Sequence, residues 1–313
     1  MNTLYMTKRQ GKGDAAFKWL TAGCASAIAL VMLGIFLNLL RHSALSIHKF
    51  GLAFLTTSSW NPVTGQFGAA TSIFGTVVSS VIAMFVTAPL GIVIAVFLVE
   101  LAPPMLSRIV GGAIELLAAI PSIIYGMWGL FVLAPLMANY AQPALSKSLG
   151  FLPFFRGPMM GIGMLTAGLI LALMVLPFMC AVTRDVLTMV PAVLKESAHG
   201  MGATKLEVVW KVSIPYGLRG IIGAFFLALG RAIGETMAVT FVIGNDHSMS
   251  ASLFAAGNTI ASTLANEFAE ASEPLYQSTL VELGLVLFLI ATAFQIAAYF
   301  WLGRLRAGAG GAQ

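Results

Sequence analysis

Residues Ser72–Val99 read SIFGTVVSSVIAMFVTAPLGIVIAVFLV, a stretch with no charged side chain. Wound as an α-helix, it is long enough to cross the roughly 30 Å hydrocarbon core of a bilayer, with some tilt. It lacks the strict apolar–polar alternation of a membrane barrel strand. Comparable runs recur at about Trp19–Leu40, Ile114–Ala138, Met159–Val182, Leu218–Ile243 and Thr279–Leu302. In lipid every backbone N–H and C=O needs a partner within the protein, so only helices and closed barrels can span. The expected fold class is therefore all-α: a polytopic membrane protein with about six transmembrane helices.

Composition agrees. Of 313 residues, 58% are hydrophobic and only 9% charged, too little charge to cover a soluble fold. The net charge of +5 does not point to nucleic acid, because the basic residues sit in particular short loops and not along one face. Membrane lipid is the expected surrounding partner. Cys24 and Cys180 fall within apolar runs without the neighbours of a metal site or redox pair, and both are expected to be small buried hydrophobes. The first run is too long for a signal peptide core and is followed by Arg41-His42 without a clear cleavage site, so it reads as a retained helix.

Lys and Arg counts set the expected orientation. Six helices place twelve of these residues on one side, among them Lys8, Arg9, Arg108, Arg184, Lys195, Arg304 and Arg306, and only Arg41, Lys49, Lys147 and Arg156 on the other. Both termini are expected in the cytoplasm. The layout is then a cytoplasmic segment 1–18, a first helix 19–40, a periplasmic loop 41–71, a transmembrane domain 72–302 containing a cytoplasmic loop 184–216, and a tail 303–313. Pro89 and Pro121 fall within apolar runs, where each removes a backbone hydrogen bond. Both segments are expected to break or kink their helices, either as ordinary packing bends or as gating hinges.

The loop 184–216 has organised chemistry. Pro191 suits the first turn of a helix running through Ala198, and Gly200-Met201-Gly202 supplies a turn. Thr204-Lys205-Leu206-Glu207 reads as a capping box opening a second helix toward Trp210, which Ser213-Ile214-Pro215 is expected to end. The series Glu196-Ser197-Ala198, Gly202 and Ile214-Pro215 resembles the "EAA" loop of ABC-importer permeases, with Ser197 and Ile214 departing slightly from that pattern. The resemblance implies that Glu196, Ser197, Ala198, Gly202 and Pro215 dock on a nucleotide-binding subunit.

Arg231 and Glu235 stand near the middle of the run Leu218–Ile243. As one helix they would share a face about 6 Å apart along the axis. A charge at the bilayer centre costs at least about 2.5 kcal/mol and is usually paired or turned to a water-filled path. The pair either fixes helix packing or forms an anion site, the guanidinium fork matching two oxygens of a tetrahedral oxyanion. Glu235 would neutralise Arg231, or accept a proton from phosphate.

The segment Gly230–Val239 (GRAIGETMAV), together with Phe50–Leu55 and Trp60, Glu115–Leu130 and Ala265–Ala271, resembles the PstC-type permease of the phosphate-specific ABC transporter. The likeness runs over about residues 48–300. It implies a type I ABC-importer permease architecture in the bacterial inner membrane, with Arg231 and Glu235 on the translocation path. It also implies a PstA-type permease partner, a PstB-type ATPase dimer and a periplasmic phosphate-binding protein. No Walker loop is present, so ATP and Mg belong to the partner ATPase and this chain is expected to hold no cofactor, metal or catalytic group. The other readings are a stand-alone anion channel or secondary carrier, or a permease for a different oxyanion. His42, His48, His199 and His247 are scattered in sequence and suggest no shared site.

Overall fold

The computed structural model describes residues 12–309. The expected segment up to residue 11, with Lys8 and Arg9, and the last four residues of the tail lie outside them. Among the described residues, six helices are long and apolar enough to cross a membrane. The chain runs α1 (Lys12–His42), a short α2 (Ala44–Phe50), α3 (Ala70–Leu101), α4 (Pro104–Ala118), α5 (Ser122–Leu149), α6 (Met164–Thr188), α7 (Ala192–Gly200), α8 (Lys205–Ile233), a short α9 (Met237–Thr240), α10 (Ile260–Glu267) and α11 (Pro274–Ala309). Six spans put the start of α1 and the end of α11 on one side, called here the terminal side. α2, α10 and the long loops lie on the far side.

The core is built around α6, the most enclosed span, with 61% of its apolar window buried. Its residues Ala167, Ile170, Leu171, Met174 and Val175 pack on Ala83 and Met84 of α3 and on Ala224, Ala228 and Ala232 of α8. Lipid is as apolar as leucine, so helices here associate through close packing, which small residues permit. A side chain at Gly91 would press on Met179 of α6, 2.9 Å away, and one at Gly168 would strike Ile82 of α3. Thr87 Oγ1 adds a hydrogen bond from α3 to the Ala172 carbonyl of α6 at 3.1 Å. Cys180 is buried in this packing, but Cys24 is exposed. The expectation of burial fails at Cys24 because α1 stands away from the bundle over its terminal half. It meets α11 further along, where Phe36 and Phe288 approach to 5.9 Å.

The spans are interrupted at several points, and two interruptions differ from those expected. Pro89 lies inside α3, as the run implied. At Pro121 the helix breaks, one of the two outcomes expected there. Pro121 sits extended between α4 and α5 (φ −58°, ψ 139°), because the residues before it leave the helix rather than crowd its ring. Pro215, by contrast, does not end a helix. α8 runs straight through it, with a wider π-turn at Val209–Ser213. That turn shifts the hydrogen bonding to Ile214 N–H→Val209 O and accommodates a residue without an N–H. The second difference is the end of α8 at Ile233, ten residues before the apolar run stops.

Gly75 of α3 lies directly against the Asn258 backbone, and an added Cβ would run into the Asn258 carbonyl oxygen. That backbone cannot easily retreat, because Ile260 N–H donates to Thr76 Oγ1 at 3.0 Å and Asn258 Nδ2 donates to Ser72 Oγ at 2.8 Å. Gly75→Ala is therefore expected to destabilise the protein by about 1–3 kcal/mol, measured as a lowered unfolding midpoint in detergent. A midpoint equal to wild type would show that the loop yields.

Candidate functional site

Arg231 occupies the last turn of α8, two residues before the helix ends. Gly234 closes the turn, its N–H reaching the Gly230 carbonyl at 3.3 Å, and the chain then leaves the helix. Glu235 is consequently not on the same helix face as Arg231, and the two form no ion pair. Instead Glu235 Oε1 accepts the Ala238 N–H at 3.1 Å and caps α9. The expected i,i+4 pair fails because a free N–H at a helix start inside an apolar layer takes the nearest acceptor.

The Arg231 guanidinium lies over the Phe178 ring, 6.0 Å from its centroid. Phe178 stands near the middle of α6, which puts Arg231 at mid-depth in the bundle. It makes no hydrogen bond or ion pair among the described residues and is exposed in the single chain. Its fork of donors is unspent.

A second interrupted span meets the break in α8. Gly126, in the first turns of α5, lies so close to α9 that a Cβ would sit 3.0 Å from Ala238 Cα and 3.1 Å from the Met237 carbonyl. The start of α5, just after the break at Pro121, therefore packs against α9, just after the break at Gly234. Irregular backbone at membrane depth is tolerated where it lines a polar cavity or is buried in protein. The arrangement can receive an oxyanion: an unspent guanidinium with an aromatic wall, next to the break that ends α8.

On the terminal side the hairpin of α7 and α8 forms as its sequence implies. Thr204 Oγ1 accepts the Glu207 N–H at 3.3 Å and the Glu207 carboxylate accepts the Thr204 N–H at 3.0 Å. Gly202 turns the corner at φ +88° with open space around it. Glu196 and Ser197 are exposed, as is Pro215. Ala198 is not part of that outer surface. It is only 8% exposed, because its carbonyl accepts the Ala203 N–H at 3.0 Å and this folds the corner over it. Val193, Met201, Leu206 and Trp210 form an exposed apolar skin on the hairpin.

The far side holds a cluster that the sequence did not reveal. His247 stacks on Trp60 with ring centroids 5.1 Å apart and 3° between planes. Its Nε2 meets Glu267 Oε1 at 2.8 Å, and its Nδ1 meets Asn258 Nδ2 at 2.8 Å. Trp60 Nε1 and the Tyr276 hydroxyl both donate to Glu267 Oε2. Burial alone would raise the Glu267 carboxyl, but the hydrogen bonds from His247, Tyr276 and Trp60 more than offset this and hold its pKa below the usual carboxylate value. The five residues lie as far as 216 positions apart, and the visible signal was only four acidic residues, Asp246, Glu267, Glu270 and Glu273, in a loop (244–278) without Lys or Arg.

Comparison with known proteins bears on this geometry. Residues 87–307 match the family model described as binding-protein-dependent transport system inner membrane component. The chain is 51% identical to the phosphate transport system permease protein PstC of Mesorhizobium japonicum, covering 95% of this chain and 92% of that one. It is 51% identical to the protein of the same name from Pasteurella multocida, covering 89% and 88%. It is 38% identical to a probable PstC of Methanocaldococcus jannaschii, covering 83% and 84%. In fold it is similar to a chain of a bacterial alginate ABC transporter solved with an alginate pentasaccharide-bound periplasmic protein. That match has a TM-score of 0.61 at 15% identity and covers 95% of this chain and 98% of that one.

The far-side cluster should make stability depend on pH in one direction. A carboxylate whose pKa is lower folded than unfolded contributes stability that is fully present above the unfolded value, near about 4.3. That contribution is lost as pH falls through the lower folded value. Between pH 7 and acid, wild type should lose more of its thermal midpoint than Glu267→Gln. Equal losses would place the acid sensitivity elsewhere.

Proposed function

The chain belongs to the binding-protein-dependent transport system inner membrane components, and within them to the PstC-type permeases, and from that premise we propose that it imports inorganic phosphate as one permease subunit of an ATP-driven ABC transporter. It is a multi-pass transport subunit and not an enzyme. ATP hydrolysis belongs to a separate ATPase chain, and a binding protein delivers the substrate. In the finer reading, the partners are a PstA-type permease, a PstB-type ATPase dimer that holds ATP and Mg, and a periplasmic phosphate-binding protein. The membrane is the bacterial inner membrane, with the terminal side in the cytoplasm, in keeping with the basic residues gathered there.

The observation that carries the substrate class is the unpartnered Arg231 guanidinium at mid-depth beside two helix breaks. A cation there needs an anion or water, and its planar fork matches two oxygens of a phosphate. Glu235, turned away to cap α9, leaves that fork free for the substrate. Its other expected role, accepting a proton from a protonated phosphate, requires that cap to open. Pro89 and the extended segment at Pro121 are the places where α3 and the α4–α5 connection can bend as access alternates. A stand-alone channel or carrier would leave the α7 hairpin, capped and with an exposed apolar skin, without a partner.

Arg231→Gln is expected to abolish phosphate uptake into vesicles containing the complete complex, while the subunits still co-purify. Near-normal uptake would remove Arg231 from the translocation path, and loss of assembly would make it a packing residue.

Gly202→Leu is expected to weaken both ATPase co-purification and stimulated hydrolysis. The cause is conformational and not local crowding within the chain. Space is open at Gly202, but φ of +88° is rarely adopted by an L side chain, so the corner must reshape and the docking surface with it. Unaltered binding and stimulation would put the docking surface elsewhere.

A further inference from the structure

An ion pair at the terminal side joins two elements that are distant in sequence. Lys195 Nζ of α7 meets Glu100 Oε1 of α3 at 2.7 Å, and their side chains are only 21% and 11% exposed. Among the described residues no other hydrogen bond or ion pair joins α7 to α3. Lys195 shares a face with the buried Ala198, three residues on, so it points into the protein while Glu196 and Ser197 point out.

The placement of Glu100 is equally specific. α3 ends in a π-turn, Phe97–Leu101, which changes the register of its last residues. Glu100 lies about 16 Å along the helix from Pro89. The missing N–H of Pro89 leaves the Phe85 carbonyl without its intrahelical partner, and the helix bends most easily there. On the other side of Pro89, Thr87 Oγ1 ties α3 to the Ala172 carbonyl of α6. α3 thus has a polar tie to α6 on one side of its weakest turn and to α7 on the other, with apolar packing on α6 along both arms. Without Lys195, α7 could shift on its two connectors, 189–191 and 201–204, with no polar tie to α3.

We propose that the Lys195–Glu100 ion pair is a second mechanical link, through which α7 drives the terminal-side arm of α3 about Pro89. The covalent connections of α7 lead only to α6 and α8. The ion pair adds α3, the span packed most closely along α6, to the elements that move with the ATPase. Lys195 and Glu100 are positioning residues: neither touches substrate or nucleotide. The inference rests on the importer reading above, but not on phosphate as the substrate.

The test uses the complete complex in proteoliposomes, with ATP hydrolysis measured with and without loaded binding protein, and phosphate uptake measured alongside. The variants are Lys195→Met, Glu100→Gln, the single reversals Lys195→Glu and Glu100→Lys, and the double reversal. The single reversals are expected to lower the stimulation ratio about tenfold, equivalent to about 1.4 kcal/mol, with the subunits still co-purifying. The double reversal should return it to within about twofold of wild type, a rescue that a merely structural contact at either residue alone would not give. Stimulation unchanged in the single reversals, or a double reversal no better than the singles, would overturn the link. If a reversal prevents assembly, the shape-preserving Lys195→Met and Glu100→Gln decide: a reduced ratio supports the link and an unchanged one overturns it. A wild-type complex with stimulated hydrolysis but no phosphate uptake would count against the substrate assignment, while the hydrolysis ratios would still judge the ion pair.

Discussion

The backbone's need for hydrogen bonds in hydrocarbon governs this protein. A helix satisfies its own N–H and C=O groups, so six spans can cross with no help from lipid. Each place where a span stops being helical is then an exception that needs a local partner. Those exceptions are not scattered. The break after Ile233 and the break before Ser122 come together through the contact of Gly126 with α9, and Arg231 stands beside them. The irregular backbone and the costly charge therefore come together at one depth of the bundle.

Close approach makes that concentration possible. α6 is flanked by α3 and α8 through glycines and alanines, and at Gly91 and Gly168 a side chain would hold the helices apart. Such an interface is dense and has few arrangements. Bending is therefore easiest at turns where the hydrogen-bond ladder is already altered: Pro89, Pro177, the segment before α5, and the π-turns at Phe97–Leu101, Gly129–Leu133, Met137–Ala141 and Val209–Ser213. Two of these lie at the terminal side, where the α7 hairpin joins the bundle.

The features legible in the sequence were those set by local chemistry. Span count follows from apolar run length, and the Thr204–Glu207 capping box from spacing alone. The errors came where tertiary contacts decide. Gly217, Gly220, Gly223 and Gly230 all lie within α8 without ending it, whereas Gly234 ends it. Nothing in composition separates them, since the outcome depends on whether a neighbour such as Glu235 can take the freed N–H. Pro215 looked like a terminator because proline usually is one, but a π-turn ending two residues before it absorbs the defect. Ala198 looked like a contact residue because small residues suit grooves, yet its own corner covers it. The Trp60–His247–Glu267 cluster was invisible because its members come together only when the loop after α9 folds back onto the start of α3.

The exposure of Arg231 in the single chain bears on assembly. A cation–π contact such as that with Phe178 contributes about 0.5–2 kcal/mol, whereas a charge held at the bilayer centre costs at least about 2.5 kcal/mol. Phe178 alone therefore does not offset the cost, and Glu235, engaged with the Ala238 N–H, does not approach to form an ion pair. A lone subunit in lipid would carry an uncompensated guanidinium on its surface. The cost disappears if that surface faces a second permease chain across a polar path, with Arg231 on its wall. There the charge would be stabilised by the assembly, and its donors would stay open to a passing anion.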